Sequence, residues 1–117
     1  MVIHVILLDG FEKWLITLGY ADSTVYGSVR YVTDFSHWLM TTPIENLEQV
    51  DSTVIRTYYK HLQSRKSKRG TGSLSDNYII SHINALKRFS RYLSETGKGQ
   101  LEIDIKPPRV SQREKTI

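Results

Sequence analysis

The chain has 117 residues and carries sixteen Lys and Arg against twelve Asp and Glu, a formal charge of +4, with 39% hydrophobic residues. That length sets one domain with one modest core. The absence of cysteine excludes disulfides and thiolate metal sites and suits a reducing compartment, so the cytoplasm is the expected location. No apolar run approaches the ~20 residues needed to cross a membrane, so no membrane role is expected.

Charge is divided unevenly. Residues 1–50 hold two cations, Lys13 and Arg30, against six acids, whereas residues 51–117 hold fourteen cations against six acids. A basic half points to a polyanionic partner.

The most apolar stretch is residues 2–8, VIHVILL. It is short and lacks a basic leader and a small-residue cleavage site, which argues against a signal peptide. Periodicity there fits either a strand or an early helical turn. Phe11, Trp14, Leu15 and Leu18 have helical spacing and predict a first helix over residues 5–18, ended by Gly19. Gly10 weakens the start, which leaves an origin near Phe11 open.

A second helix is predicted over residues 22–40, capped by Asp22 or Ser23. Tyr31, Val32, Phe35, Trp38 and Leu39 form its core stripe, with Thr24 and Ser28 at its beginning. Tyr26, Arg30, Thr33 and His37 lie on the other side. Gly27 inside a helix costs roughly 1 kcal/mol relative to alanine and invites a close approach from outside. Thr41-Thr42-Pro43 breaks the chain, and Ile44, Leu47 and Val50 in the following connection are available to plug the core. Asp51 or Ser52 caps a third helix over about residues 52–64, with Val54, Ile55, Tyr58, Tyr59 and Leu62 on its apolar side.

Residues 64–73, SRKSKRGTGS, read as a basic Gly/Ser-rich loop. Its Arg65, Lys66, Lys68 and Arg69 are candidates to lie along a phosphate backbone, the alternative being a solvated connector.

The fourth helix is the most strongly patterned. Ser75 is its expected N-cap, Leu74 a staple onto Ile79, and Gly97 its C-terminal stop. Advancing about 100° per residue, Ile79, Ile83, Leu86, Phe89 and Leu93 share one side. Asn77, Ser81, Asn84, Lys87, Arg88 and Arg91 share the other, with no acid until Glu95. Amides read base edges, and Lys and Arg hold phosphates or guanine. Beyond Gly99 the charged segment with Pro107-Pro108 reads as a linker, residues 100–117. The organisation expected is thus an N-terminal extension (1–10), a helical domain (11–99) and that linker. The fold class is all-α, a compact bundle of four main helices.

No catalytic chemistry emerges. His4, His37, His61 and His82 make no metal-binding spacing, and His82 falls on the apolar side of the fourth helix. GTGS at 70–73 lacks the lysine and flanking strand of a phosphate loop. No serine or tyrosine has a convincing base partner. No metal or cofactor is expected.

The order Phe11…Leu15…Gly19, Thr24…Val32…Phe35…Leu39, the Asp51 helix with Tyr58…Leu62, Leu74-Ser75…Ile79…Ala85-Leu86-Lys87…Phe89…Tyr92-Leu93…Gly97 and Lys106-Pro107-Pro108 resembles the N-terminal core-binding, SAM-like domain of tyrosine recombinases, the phage integrase family. The resemblance covers roughly residues 11–110. It implies a two-domain parent that clamps double-stranded DNA at a recombination core site, with the second and fourth helices near the major groove. The catalytic Arg, Lys, His and Tyr belong to a C-terminal domain that this chain does not contain, so no enzymatic activity is expected of it. The resemblance implies tetramers on DNA for the full parent and a mainly monomeric state for this piece.

DNA-facing positions carried over from the resemblance fall at Thr24, Gly27 and Arg30, with Tyr26 beside them, and at Asn77, Ser81 and Asn84, followed by Lys87 and Arg88. Departures from the pattern are Ala21 where the family has a serine cap, Ser28 in place of a frequent Tyr, Tyr78 in place of a frequent Thr, and Ile80 toward the polar face. Two other readings stand beside this one: a naturally short, non-catalytic integrase-like DNA-binding protein, and a helical protein-interaction module with an acidic partner.

Overall fold

A computed structural model describes residues 3–68, 76–99, 101 and 103, with the side chains of 65–68, 76 and 77 left out. It is an all-α globule of four helices: α1 (Val5–Thr17), α2 (Asp22–Leu39), α3 (Ser52–Lys68) and α4 (Asp76–Thr96). Among the described residues there is no strand, and no helix is long and apolar enough to cross a membrane.

The N-terminal ambiguity resolves toward helix. Ile3 is fully buried and α1 begins at Val5, so it runs through Gly10 instead of starting at Phe11. The reason lies on α4. A Cβ at position 10 would collide with the phenolic oxygen of Tyr92, which packs there almost fully buried. Gly10 is thus required by packing. Burial, and then the charge of Asp9, hold the Tyr92 phenol above its ordinary ionisation range.

Two helices end as the glycines dictate. After α1, Gly19 has φ 88°, its N–H donates to the Ile16 carbonyl (3.0 Å), and the Tyr20 N–H donates to Leu15 (3.2 Å). After α4, Gly97 has φ 71°, with Gly97 N–H to Ser94 (3.3 Å) and Lys98 N–H to Leu93 (2.9 Å). These paired bonds satisfy carbonyls that the helix leaves open, and they need a left-handed residue. The end of α2 uses side chains instead. The hydroxyls of Thr41 and Thr42 donate to the carbonyls of Trp38 (2.7 Å) and Leu39 (2.6 Å).

Four boundaries differ from the sequence expectation, the first being the end of α1 at Thr17, one residue before Leu18. The N-cap of α2 is Ala21, with no side-chain cap bond, and Asp22 sits in the first turn, where its charge favours the positive helix end. The last turn of α2 closes at Leu39, one residue early. α3 continues to Lys68, so Arg65, Lys66 and Lys68 belong to a helix where a loop was expected. Lys, Arg and Gln are good helix formers, and no glycine intervenes before Gly70. Arg69, Leu74 and Ser75 lie outside the described residues. The expected cap of α3 is present: the Asp51 carboxylate accepts from the Val54 N–H at 3.1 Å.

Buried side chains arrange themselves around α4. Ile79, Ile83, Leu86, Phe89 and Leu93 are all buried, as their spacing requires, together with His82, Ala85 and Tyr92. One aromatic group ties α1 to α4. Phe11 meets Phe89 edge-on at 5.2 Å and Tyr92 at 5.7 Å, and Trp14 meets Tyr92 at 5.6 Å. A second ties α2 and α3 to α4. Tyr31 lies 4.2 Å from His82, Phe35 and Trp38 lie 4.8 and 5.0 Å from Tyr58, and Tyr58 shares a 3.4 Å hydrogen bond with His82. Such ring pairs contribute about 0.5–1.5 kcal/mol each beyond area burial. Val50 is buried, with Ile44 and Leu47 half-buried against the core, so the connection plugs it as expected. The chain also stays on the bundle after Gly99: Leu101 is buried and its carbonyl accepts from the Ser90 hydroxyl at 2.8 Å.

Two stability outcomes follow. Phe89→Ala should lower the unfolding free energy by about 3–5 kcal/mol, since the neighbouring rings cannot refill the cavity, and denaturant melts would measure it. Gly10→Ala should destabilise by about 1–3 kcal/mol through overpacking, and Tyr92→Phe, which removes the colliding oxygen, should restore most of that loss in the double variant.

Candidate nucleic-acid interface

α2 and α4 pack against each other with small side chains between them, and this leaves an open groove of about 250 Å³. Ser23, Thr24, Gly27, Ser28 and Tyr31 line it from α2, and Ser81, Asn84 and Arg88 from α4. Gly27 and the serines leave the gap because they are too short to interdigitate across it. The lining contains hydroxyls, one amide, one guanidinium and no carboxylate.

Arg88 is held in place before anything binds. Its Nη1 donates to the Ser28 hydroxyl at 3.1 Å, and its guanidinium lies over the Tyr20 ring at 5.5 Å. Ser28 is itself buried at 2% exposure, so the arginine is anchored from below and stacked from the side. An arginine fixed in this way loses less rotamer freedom when it meets an anion or a base edge. Gly27 has the opposite status to Gly10. A Cβ there would meet only the Tyr31 ring, at an ordinary 3.8 Å. No clash among the described residues requires this glycine.

Of the residues singled out from the sequence, Thr24, Gly27, Ser81, Asn84 and Arg88 come together in the groove. Arg30 is exposed and lines an adjoining cleft further along α2. Lys87 is exposed next to the groove wall residues Asn84 and Arg88 without lining it. Tyr26 is 68% exposed and likewise outside the lining. Asn77 is on the first turn of α4, but its side chain is outside the described set, as are those of Arg65, Lys66, Lys68 and Arg69.

Arg91 does not join the groove. Its Nε donates to the Glu95 carboxylate at 2.6 Å, and its guanidinium lies 5.8 Å from the Trp14 ring of α1. The Glu95 hydrogen bond, and then the Glu95 charge, raise its pKa further. The polar stripe of α4 continues to Arg91, but α2 no longer faces it there.

Sequence reasoning missed Ser23 and Tyr31 as lining residues and placed Ser28 on the core stripe. The signal for Ser28 was there: a serine at a core position next to a glycine marks a close, polar helix contact. Among the described residues, no group of His, Asp and Glu side chains is arranged to hold a metal ion. No family model matches the chain, and no curated protein or solved structure matches it.

Gly27→Ala should raise the stability of the free protein by about 0.5–1 kcal/mol, because the helix gains propensity and no internal contact is violated. A thermal melt showing destabilisation would mean that the glycine serves the fold after all.

Proposed function

We propose that this chain binds double-stranded DNA, presenting α4 and the first half of α2 to the major groove, as the DNA-clamping domain of the site-specific recombinase family its sequence resembles. The observation that carries this reading is the convergence of polar side chains from two helices in one acid-free groove, with Arg88 already anchored in it. These side-chain types have defined partners on DNA. Asn84 suits the paired donor and acceptor of adenine, Ser81 and Thr24 suit either kind of base edge, and Arg88 suits guanine or a phosphate.

Affinity and choice of sequence have separate sources in this reading. Arg65, Lys66, Lys68 and Arg69 of the basic half supply phosphate contacts, and Lys87 and Arg30, exposed beside the groove, reach either a phosphate or a guanine edge. The residues inside the groove, with Lys87 and Arg30 beside it, supply discrimination. The resemblance assigns cutting and joining to a separate catalytic domain of the parent.

Binding to a duplex library at several salt concentrations tests the reading. Affinity should fall steeply with salt, each phosphate contact adding about 0.9 to the logarithmic slope. Asn84→Ala and Lys87→Ala should each lower the preference for the selected site over random duplex by about 1–3 kcal/mol and leave the melting temperature nearly unchanged. No measurable duplex binding at low salt would refute the reading and favour an acidic protein partner instead; full discrimination in both variants would overturn the role of α4 and move the base-reading element to α2.

A further inference from the structure

Asp34 has no part in the core and no part in the groove. It is a half-buried carboxylate on α2, one turn beyond Arg30. It lines a second cleft of about 390 Å³ with Arg30, His37, Trp38 and Tyr78. No hydrogen bond or ion pair joins Asp34 to another described residue, and Arg30, four positions away, does not pair with it.

Gly27, Arg30, Asp34 and His37 recur at steps of three and four, which places them on one stripe of α2. From Gly27 to His37 this stripe is ~15 Å long at 1.5 Å per residue. That matches about four base steps at 3.4 Å each. A carboxylate on this stripe is repelled by phosphates, so general affinity cannot be its use. A carboxylate only accepts hydrogen bonds. On the major-groove edge the donors are the exocyclic amino groups of cytosine and adenine, and the oxygens at the corresponding places on thymine and guanine repel it.

We propose that Asp34 is a specificity-determining residue: it accepts a hydrogen bond from the amino group of a cytosine or adenine, about two base steps from the base pair that Arg30 meets. This rests on the DNA-binding reading above. Four residues, ~6 Å of helix, separate the two side chains, so the acid and the guanidinium address positions about two base steps apart from the same helix.

Site selection from a randomised duplex library tests it, using the wild type, Asp34→Ala and Asp34→Asn beside random-duplex affinity and thermal melts. The wild type should enrich C or A at one position. Asp34→Ala should lose that enrichment, roughly five- to ten-fold in relative affinity, keep the other selected bases and the melting temperature, and slightly raise random-duplex affinity by removing a repelled charge. Asp34→Asn, which adds a donor to the retained acceptor, should admit T or G at the same position. Base profiles identical to the wild type would overturn the proposal. So would a loss spread equally over all positions and random duplex, because that would mark Asp34 as a structural residue. Failure of the wild type itself to bind would show before any variant is compared, and it would overturn the DNA reading instead.

Discussion

The packing of α2 on α4 is the contact on which the rest of the polar surface depends. At one end Tyr31 lies on the His82 ring at 4.2 Å, and at the other Arg88 reaches the buried Ser28 hydroxyl. Beside these anchors the groove-lining residues Gly27, Ser28 and Ser81 are too short to fill the space. The two contacts thus fix the separation of the helices, and the short residues leave the groove open. A groove made in this way does not depend on loop conformation, and side chains placed on packed helices are better fixed than side chains on loops. His82 is part of the anchor. It is fully buried, shares a hydrogen bond with Tyr58 of α3, and touches Tyr78 at 4.6 Å. One imidazole thereby registers three helices against one another.

The cations of α4 show how neighbours, and not helical position alone, decide what a side chain does. Ser81, Asn84, Arg88, Arg91 and Glu95 follow one another at steps of three and four along a single stripe. Arg88 has α2 opposite and Tyr20 beside it, so it is drawn into the groove. Arg91 lies one step further, where Trp14 of α1 is nearest, and Glu95 one turn on takes its guanidinium. Both partners of the Arg91–Glu95 pair are about half exposed, and such a pair adds little to stability. Its effect is on the field: it cancels a charge at the end of the stripe and leaves Arg88 as the cation of the groove.

Much of the fold was legible because its signals were local. The apolar positions of α4 have a clean helical period, and every one of them is buried. Gly19 and Gly97 stop their helices by the expected left-handed turn, and Asp51 caps α3. The misreadings occurred where two local rules competed. A run of serine and cations suggested a loop after Gln63, but Lys and Arg continue a helix well, and α3 extends to Lys68. A polar residue was expected to cap α2, yet Ala21 occupies that place and the first turn relies on the charge of Asp22. The candidate site was legible in halves. Each helix declared its polar stripe, but which residues meet across the groove depends on the crossing of α2 and α4, which no single-helix period contains. Ser23, Ser28 and Tyr31 join the site for that reason, and Arg91 leaves it for the same one.

The two helical glycines make the last distinction. Both carry the same cost of backbone freedom. At Gly10 the cost has an internal cause, because the Tyr92 oxygen occupies the space a side chain would need. At Gly27 a Cβ would meet only the Tyr31 ring at an ordinary 3.8 Å, so no clash among the described residues accounts for the cost. Asp34 is a parallel case, a half-buried carboxylate with no partner among the described residues. Natural chains obey local rules except where something outside the fold sets the residue. Gly27 and Asp34 lie on one stripe of α2, two turns apart, with Arg30 between them. Gly27 and Asp34 thus share an outward line that borders the polar groove, while a third exception on α2, the fully buried Ser36 hydroxyl with no hydrogen-bond partner among the described residues, faces the opposite side. A duplex laid along the outward face, as proposed above, accounts for Gly27 and Asp34 and leaves Ser36 to the core.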